Sequence, residues 1–251
     1  MNSKMRIGVL IPARSGSKGI PHKNIKNYFG KPLMAHSIEL ALKSKYVRSE
    51  DVYVSTDSEE YQKIAIEYGA QAPFLRPTNI SGDLSTDIQC FQHFLNYLEE
   101  NEKELPDILI HLRPTYPNRS VELLDHLIEL YLKKKDEYDS LRTVIEIDMT
   151  PYKMYHIEEG EDGNQDLIPI FDRFGYVKEP FNQCRQIFPK TYVHNGCIDI
   201  IKRETIEKGM MSGEYIYPYV MSKEEIHDID TEHDFLESEK SKKREEENGR
   251  V

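Results

Sequence analysis

The sequence is poor in cysteine and in long apolar segments. Its 251 residues include three cysteines, Cys90, Cys184 and Cys197, which are scattered and form no C-x-x-C pair. An odd and scattered set argues against both a disulfide framework and a zinc site. The longest apolar run, around residues 7–12, is much too short to cross a bilayer. We therefore expect a cytosolic protein whose partners do not include a membrane.

The chain also lacks an excess of positive charge. It carries 33 basic and 44 acidic residues, which gives a formal net charge of −11. Because an acidic surface repels phosphate-rich partners, we expect no nucleic-acid partner. A small polyanionic substrate fits this charge only if basic residues are concentrated locally. The N-terminal segment has such a concentration: Lys4, Arg6, Arg14, Lys18, Lys23, Lys26 and Lys31.

Hydrophobic patterning alternates between short β-branched runs and longer segments with apolar residues at helical spacing. This alternation is typical of the α/β class, with a mixed, mostly parallel, Rossmann-like sheet and helices on both faces. The pattern predicts strands over residues 6–12, 51–55, 72–75, 107–112, 140–147, 193–201 and 215–220, and helices over 32–44, 59–68, 87–100, 120–134 and from Thr231 onward.

The pattern fails between residues 151 and 190, where prolines, aromatic residues and mixed charges show no clear period. We predict a core formed by residues 1–150 and 191–237, interrupted by an inserted arm at 151–190 that contacts a second subunit. A long surface excursion on a monomer is the alternative for this arm. Residues 238–251 form a charged C-terminal tail or helix end.

A loop rich in glycine, serine and lysine follows the first strand. Ligands of α/β sheets bind at the carboxyl ends of the strands, so this is where a phosphate-binding loop is expected. Gly16 and Gly19 let backbone amides turn inward, Arg14 and Lys18 supply charge, and Ser17 supplies a hydroxyl. The loop matches neither the Walker A nor the G-x-G-x-x-G pattern, and taken alone it is compatible with a plain connection.

A pair of carboxylates, Asp228 and Asp230, flanks Ile229 near the end of the chain. In an extended segment residues i and i+2 point the same way, so both carboxylates face one side. Two such oxygen donors suit Mg²⁺, which usually also takes waters and substrate phosphates. The alternative is that Asp230 or Thr231 only caps the helix that begins there.

Two further segments leave two interpretations open. Residues 55–58 (Ser-Thr-Asp-Ser) follow the second strand and are suited either to contact a nucleotide or to cap the next helix. Asn195 and Gly196 interrupt a strand pattern, which indicates either a close approach of backbone to ligand or a bulge.

Together these segments resemble the acylneuraminate (CMP-sialic acid) cytidylyltransferase family. The likeness covers nearly the whole chain up to about Phe235, and the first and last motifs jointly are highly specific. The motifs that carry it are residues 11–19 (IPARSGSKG) with Lys23 and Asn24, 54–57 (VSTD), 75–77 (LRP), 113–119 (RPTYPNR), Arg185 and Gln186, Asn195 and Gly196, and 228–232 (DIDTE).

The resemblance implies a nucleotide-diphospho-sugar transferase type of fold and a homodimer in which an arm helps to cover the partner's site. It also implies the substrates CTP and an acidic sugar, and Mg²⁺ as the cofactor. By this resemblance Ala13, Arg14, Ser17, Lys18, Lys23, Asn24, Arg76, Ser85 and Thr86 contact the nucleotide, Arg113, Arg185, Gln186 and Asn195 lie toward the sugar, Asp228 and Asp230 hold the metal, and Arg14, Lys23 and Asp230 are catalytic.

In the reaction that the resemblance implies, the anomeric hydroxyl of the sugar attacks the α-phosphorus of CTP and pyrophosphate leaves. Fixed cations and Mg²⁺ stabilise the charge on the bridging and leaving oxygens, and Asp230 or a water on the metal takes the hydroxyl proton.

The chain departs from the family pattern at two positions. The family usually has Gln where Arg113 stands, near the sugar, and commonly Tyr where Asp199 stands. A guanidinium at position 113 is suited to bind a carboxylate or phosphate bidentately. The identity of the nonulosonic acid therefore stays open, with legionaminate-like sugars as candidates. Two other functions also stay open: a nucleotidyltransferase for another acidic or phosphorylated acceptor, and a catalytically silent nucleotide-binding homologue.

Overall fold

The computed structural model describes residues 5–160, 163–222 and 228–247. Its strands are β1 (Ile7–Pro12), β2 (Asn27–Tyr28), β3 (Lys31–Pro32), β4 (Val52–Ser55), β5 (Ile108–His111), β6 (Ser140–Ile147), β7 (Tyr155–Glu159), β8 (Gln165–Pro169), β9 (Arg173–Phe174), β10 (Val177–Lys178), β11 (Thr191–Lys202) and β12 (Ile216–Met221). Its α-helices are α1 (Leu33–Lys43), α2 (Glu59–Glu67), α3 (Asp87–Glu100), α4 (Val121–Lys134), α5 (Arg203–Glu207) and α6 (Glu232–Glu247).

Six strands form one mixed sheet in the order β12-β6-β11-β5-β1-β4. Strand β1 runs parallel to both of its neighbours, with Val9 opposite Val52 of β4 and Ile110 of β5. Strand β11 is antiparallel to β5, with Asp199 opposite His111. The predicted α/β fold class is therefore confirmed. The carboxyl ends of β1, β4 and β5 share one edge of the sheet, which is where a ligand is expected.

Strand β1 is buried on both faces. Val9, Leu10 and Ile11 are each 0% exposed although their side chains alternate between the two sides of the sheet. Leu10 belongs to a core cluster with Phe91 and Phe94 of α3. Burial of each such side chain contributes about 1.5–3 kcal/mol. The strand is therefore a rigid base for the loop that follows it.

One predicted strand is wrong, and the segment predicted as a charged tail or helix end is helical over its described residues. Residues 72–75 form no strand, and Leu75 makes only an isolated bridge with Thr56, because Pro73 within the segment and Pro77 after it have no backbone N–H for a ladder. Helix α6 continues through much of the segment predicted as a charged tail, and residues 248–251 lie outside the described residues.

The chain divides into two compact units. The first comprises Met1–Thr143, Asn195–Tyr219 and Ile226–Val251, and the second comprises Val144–His194 and Val220–Glu225. The second unit contains the β7–β8 and β9–β10 hairpins. Its own small cluster is aromatic: the ring of Tyr152 lies 4.7–5.1 Å from the rings of Phe171, Phe174 and Phe188.

Among the helices of residues 5–160, 163–222 and 228–247, none combines the length and the apolar character that a membrane span requires.

Candidate active site

A cavity of about 480 Å³ opens at the carboxyl edge of β1, β4 and β5. It is lined by the loop after β1, by the start of α3, by the segment after β5 and by the carboxylate-bearing segment near the end of the chain. Most of the predicted site residues meet here. The lining residues are Pro12, Arg14, Ser17, Lys18, Gly19, Lys23, Asn24, Arg76, Asp83, Ser85, Thr86, Asp87, His111, Arg113, Pro114, Thr115 and Asp230.

The loop after β1 is tied to the neighbouring strand. The Asp57 carboxylate, just after β4, accepts hydrogen bonds of 2.8 Å from both the backbone N–H and the hydroxyl of Ser15. The backbone N–H of Ala13 donates to the Ser55 carbonyl at 2.9 Å. The Asn24 amide donates to the Arg14 carbonyl at 2.9 Å. The Asp57 and Asn24 side chains and the Ser55 carbonyl thus hold the loop in place before any ligand binds.

The same loop packs directly on the carboxylate-bearing segment. Ile20 and Ile229 belong to one buried cluster with Tyr28 and Phe235. A Cβ added to Gly19 would lie only 2.2 Å from the Asp230 carbonyl oxygen, so only glycine permits this approach. The apolar residue between the two aspartates therefore anchors them against the start of the chain.

Lys23 joins these two segments electrostatically. Its ammonium group donates to the Ile229 carbonyl at 2.7 Å and to Asp230 Oδ1 at 2.9 Å. Of the two residues considered as a helix cap, Thr231 takes that role. Its hydroxyl accepts a hydrogen bond of 3.2 Å from the backbone N–H of Asp234 in the first turn of α6. The Asp230 side chain is 74% exposed and lies in the cavity lining.

Asp228 is the more enclosed member of the pair. Burial raises the pKa of its carboxyl, a hydrogen bond from Thr115 lowers it, and the charge of Asp230 raises it further. The buried atom Asp228 Oδ1 has no hydrogen-bond partner among the described residues. An unsatisfied carboxylate oxygen next to a second carboxylate fits Mg²⁺. Within the described ranges no third His, Cys or acidic side chain joins them, so water and substrate phosphates would complete the coordination.

The predicted phosphate-binding cations are held by a residue that sequence reasoning missed. Asp83 accepts ion pairs from Arg14 Nη1 at 3.2 Å and from Lys18 Nζ at 2.7 Å. These contacts, first that with Lys18, keep the pKa of the Asp83 carboxyl below its usual value. Arg14 Nη1 also donates to the Gly82 carbonyl at 2.7 Å. The Asp83 carboxylate thus pairs with the two cations that are suited to bind a phosphate chain.

The cavity lining includes a deeply buried arginine. Arg76 is 6% exposed, and its Nη2 donates to the Ser55 carbonyl at 2.7 Å. Its buried Nε has no hydrogen-bond partner in the described part of the chain. Ser85 and Thr86 lie beside it at the start of α3, where Thr86 donates its backbone N–H to Gln89 at 2.9 Å.

A charged network surrounds Arg113 on the other side. Its Nη2 lies 3.0 Å from Asp87 of α3, and its Nη1 lies 3.1 Å from Asp199 of β11. Asp199 is 1% exposed and also pairs with Arg142 Nε at 3.0 Å. Desolvation alone would raise the pKa of Asp87, but His111 and Arg113 outweigh it and lower that pKa.

Comparison with known proteins shows the family to which the chain belongs. Residues 8–165 match the family model described as Cytidylyltransferase. The chain belongs to this family. An N-acylneuraminate cytidylyltransferase of Streptococcus agalactiae serotype V is 32% identical over 229 residues, which are 90% of this chain and 51% of that protein. A pseudaminic acid cytidylyltransferase of Campylobacter jejuni is 29% identical over 226 residues, which are 90% of this chain and 91% of that protein.

The chain therefore spans about half the length of its streptococcal relative and nearly the full length of its Campylobacter relative. The solved structure of a CMP:2-keto-3-deoxy-manno-octonic acid synthetase complexed with CTP has the same fold. It matches with a TM-score of 0.65 at 16% identity, over 96% of this chain and 99% of that chain. The nucleotidyltransferase type of fold is thus confirmed.

Some predicted site residues of this family member lie outside the cavity lining. The Ala13 side chain is 0% exposed, so only the backbone of this residue can contact a ligand. The Asn195 side-chain oxygen accepts hydrogen bonds from Thr143 Oγ1 at 2.7 Å and from the Cys197 backbone N–H at 3.2 Å. Arg185 and Gln186 belong to the second unit, in which Arg185 Nη1 donates to the Asp148 carbonyl at 2.9 Å.

Sequence reasoning missed other charged groups of this cytidylyltransferase-type site. His111 ends a strand and Asp87 starts a helix, so the rule that ligands meet strand ends and helix starts was the available signal. Arg142 lies inside β6 and shows its role only through its contact with Asp199. Asp83 follows a glycine in a loop, and nothing in the sequence distinguishes it from an ordinary turn residue.

Proposed function

We propose that this chain transfers CMP from CTP to the anomeric hydroxyl of a nonulosonic acid and releases pyrophosphate. One observation carries the proposal: the cationic loop after β1 and Asp230, which is two residues from Asp228, line one cavity. Lys23 and Asp230 are in direct contact there, at 2.9 Å. The family membership and the relatives that act on N-acylneuraminate and pseudaminic acid support the substrate class.

The triphosphate of CTP would bind at the end of the cavity lined by Arg14 and Lys18. Both side chains are exposed, at 32% and 77%, and both pair with Asp83, whose single negative charge leaves one positive charge unbalanced. A triphosphate carries more charge than one carboxylate, so it can displace Asp83 from these cations. The buried Arg76, with its unsatisfied Nε, would donate to the nucleotide beside Ser85 and Thr86.

Asp228 and Asp230 would hold Mg²⁺, which neutralises phosphate charge when it is bound. The protein's own groups supply the rest. Lys23 can move from Asp230 to the phosphates, where its charge stabilises the leaving pyrophosphate. Asp230 can then accept the proton of the attacking hydroxyl, because its carboxylate is exposed to the cavity rather than engaged in a helix cap.

The test is pyrophosphate release over a panel of nucleoside triphosphates and acceptors: N-acetylneuraminate, N,N'-diacetyllegionaminate, pseudaminate and phosphorylated sugars. We expect turnover with CTP and at least one nonulosonic acid. Asp230→Asn should lower kcat by at least about a hundredfold while the unfolding transition is retained. The control is Glu232→Gln, which removes a nearby acid that pairs with Lys26 at 2.6 Å. A folded Asp230→Asn enzyme with wild-type turnover would refute the proposed role.

We also propose that a second copy of the chain covers the apolar surface of the second unit. In the β7–β8 hairpin, Ile157 and Leu167 face each other across the strands and are 61% and 62% exposed. Tyr176 is fully exposed. Such a concentration of apolar side chains on one small unit is typical of a protein interface rather than of a free surface.

Analytical ultracentrifugation of the wild type and of the double substitution Ile157→Thr, Leu167→Thr tests this interface. We expect a dimer for the wild type and a shift to monomer for the variant, because the pair loses apolar area without leaving the strands. The control, Glu158→Thr, changes the opposite face of the same strand. A wild type that sediments as a monomer would exclude the dimer.

A further inference from the structure

We propose that Asp199 is a positioning residue which, together with Asp87, fixes the Arg113 guanidinium as a hydrogen-bond donor to a neutral oxygen of the acceptor sugar. The inference rests on the proposed function and deepens it. It assigns the choice among acceptors to the Arg113–Asp199 pair, and it names a hydroxyl or an acyl carbonyl as the group that the pair recognises.

The guanidinium is held from two elements at once. Arg113 Nη1 binds Asp199 on β11 at 3.1 Å, and Nη2 binds Asp87 at the start of α3 at 3.0 Å. A planar fork that is anchored at both terminal nitrogens has little rotational freedom. The backbone is braced as well, since Arg119 Nη2 donates to the Arg113 carbonyl at 2.8 Å.

Asp199 is itself immobile. Its side chain is 1% exposed, and its two oxygens bind different arginines: Oδ2 binds Arg113, and Oδ1 binds Arg142 Nε at 3.0 Å. A buried carboxylate is stable only while its cationic partners remain, so its removal or rotation is unfavourable. Arg113 is therefore oriented before any sugar enters the cavity.

Gly196 places Arg113 on the acceptor side of the cavity. Its φ of +72° is accessible to glycine, and an added Cβ would lie 3.7 Å from Arg113 Nη1 and 4.0 Å from Asp228 Oδ2. The missing side chain leaves space between the guanidinium and Asp228, the first carboxylate of the pair. The attacking hydroxyl must reach that carboxylate pair, so the group beside Arg113 belongs to the attacking sugar.

The charge balance decides what Arg113 can recognise. Asp87 and Asp199 balance the charges of Arg113 and Arg142, and His111, whose Nδ1 lies 3.8 Å from Asp199 Oδ2, adds a positive charge only when it is protonated. Each terminal nitrogen of Arg113 already has a carboxylate partner and keeps one further N–H. The 24% exposed side chain thus offers directional donors without excess positive charge. This revises the expectation that Arg113 grips a carboxylate or phosphate bidentately.

A double-mutant cycle tests the pair, with Arg113→Gln, Asp199→Asn and the double variant. CTP and three acceptors are used: N-acetylneuraminate, N,N'-diacetyllegionaminate and pseudaminate. We expect each single substitution to raise the acceptor KM by about tenfold or more, while the CTP KM changes by less than about twofold. The double variant should lose far less than the product of the two single effects, because neither charge is then left unpaired.

The three sugars share a carboxylate and differ in their ring substituents. Recognition of a neutral substituent predicts that the KM increase of Arg113→Gln differs between sugars by at least about threefold. An equal increase for all three would mean that Arg113 binds the shared carboxylate, and it would overturn the inference. Asp87→Asn, at the 42% exposed partner, removes the other anchor and should give the same KM pattern with a smaller size.

Unfolding curves of the same preparations separate positioning from a merely structural role. Lower stability with unchanged acceptor KM, or equal increases in the KM for CTP and for acceptor, would refute the inference while the wild type remains active. Independent, multiplicative effects in the cycle would also refute it. A wild type that releases pyrophosphate with none of the three acceptors would refute the proposed function first, and the inference with it.

Discussion

The two ends of the candidate cavity hold their cations in different ways. At the end proposed to bind phosphate, Lys18 pairs with Asp83, and the two side chains are 77% and 43% exposed. At the end proposed to bind the acceptor, Arg113 pairs with Asp199, whose side chain is 1% exposed. Exposed ion pairs are screened by water and contribute little, whereas a buried pair is costly to break. The contrast is between Lys18, which can exchange its internal carboxylate partner for a ligand, and Arg113, which is held in place before a ligand binds.

The largest expected effect comes from breaking the buried end. Asp199→Asn should lower the free energy of unfolding by about 3 kcal/mol, because Arg142 and one side of Arg113 lose their charge partner. Asp83→Asn, at the exposed end, should lower the free energy of unfolding much less. Urea unfolding of both variants measures the difference. Equal losses would mean that the two ends are not held differently.

The next prediction concerns the junction between the phosphate loop and the carboxylates. Gly19→Ala would place a Cβ 2.2 Å from the Asp230 carbonyl oxygen, so the loop or the carboxylate segment must shift. A displacement of about 1 Å is expected to lower kcat by about a hundredfold. Steady-state pyrophosphate release is the measurement.

Gly16→Ala is the matched control for that change. Apart from the two chain neighbours of Gly16, no atom of the described residues lies within 4 Å of a Cβ built there, so the loop keeps its contact with the carboxylate segment. Its effect on kcat should therefore be several times smaller than that of Gly19→Ala. Equal losses for the two alanine variants would show that the loop as a whole, and not the Gly19 contact, is sensitive.

The smallest expected effect concerns the exposed ion pairs of Asp83. Asp83→Asn frees Arg14 and Lys18 from their internal partner, so the KM for CTP should fall by about threefold, as expected for an exposed pair. The gain should shrink at high ionic strength because salt screens the pairs. KM measurements at two salt concentrations test this. A KM that rises would show that Asp83 supports CTP binding and does not compete with it.

Most of the fold could be predicted from the sequence because local pattern and tertiary environment agree. The predicted bounds of α3 and β6 coincide with the observed ones. Each has one consistent period and clear end signals, such as Thr86 before α3. The strand prediction for residues 72–75 was wrong because it gave the apolar character of the segment more weight than the effect of Pro73 and Pro77 on the hydrogen-bond ladder.

The site was predictable where charged residues follow strands. Arg14, Lys23 and Asp230 lie in motifs, and the structure brings them into one cavity. Asp83 and Arg142 were not predictable, because their importance depends on which side chain they meet in space. The Arg113–Asp199 pair shows the same limit: the sequence marked each position as unusual, but only the 3.1 Å contact shows that the two belong together.

The contact between Lys23 and Asp230 joins residues that are 207 positions apart in the chain. During synthesis the loop after β1 is made early, while its carboxylates emerge only after the whole sheet has been translated. A nascent chain therefore has no complete cavity until the segment around Ile229 docks onto Ile20. Closing so long a loop is among the slow steps of folding. We expect catalytic competence to appear only after residues 228–230 have been made and have docked onto the loop after β1.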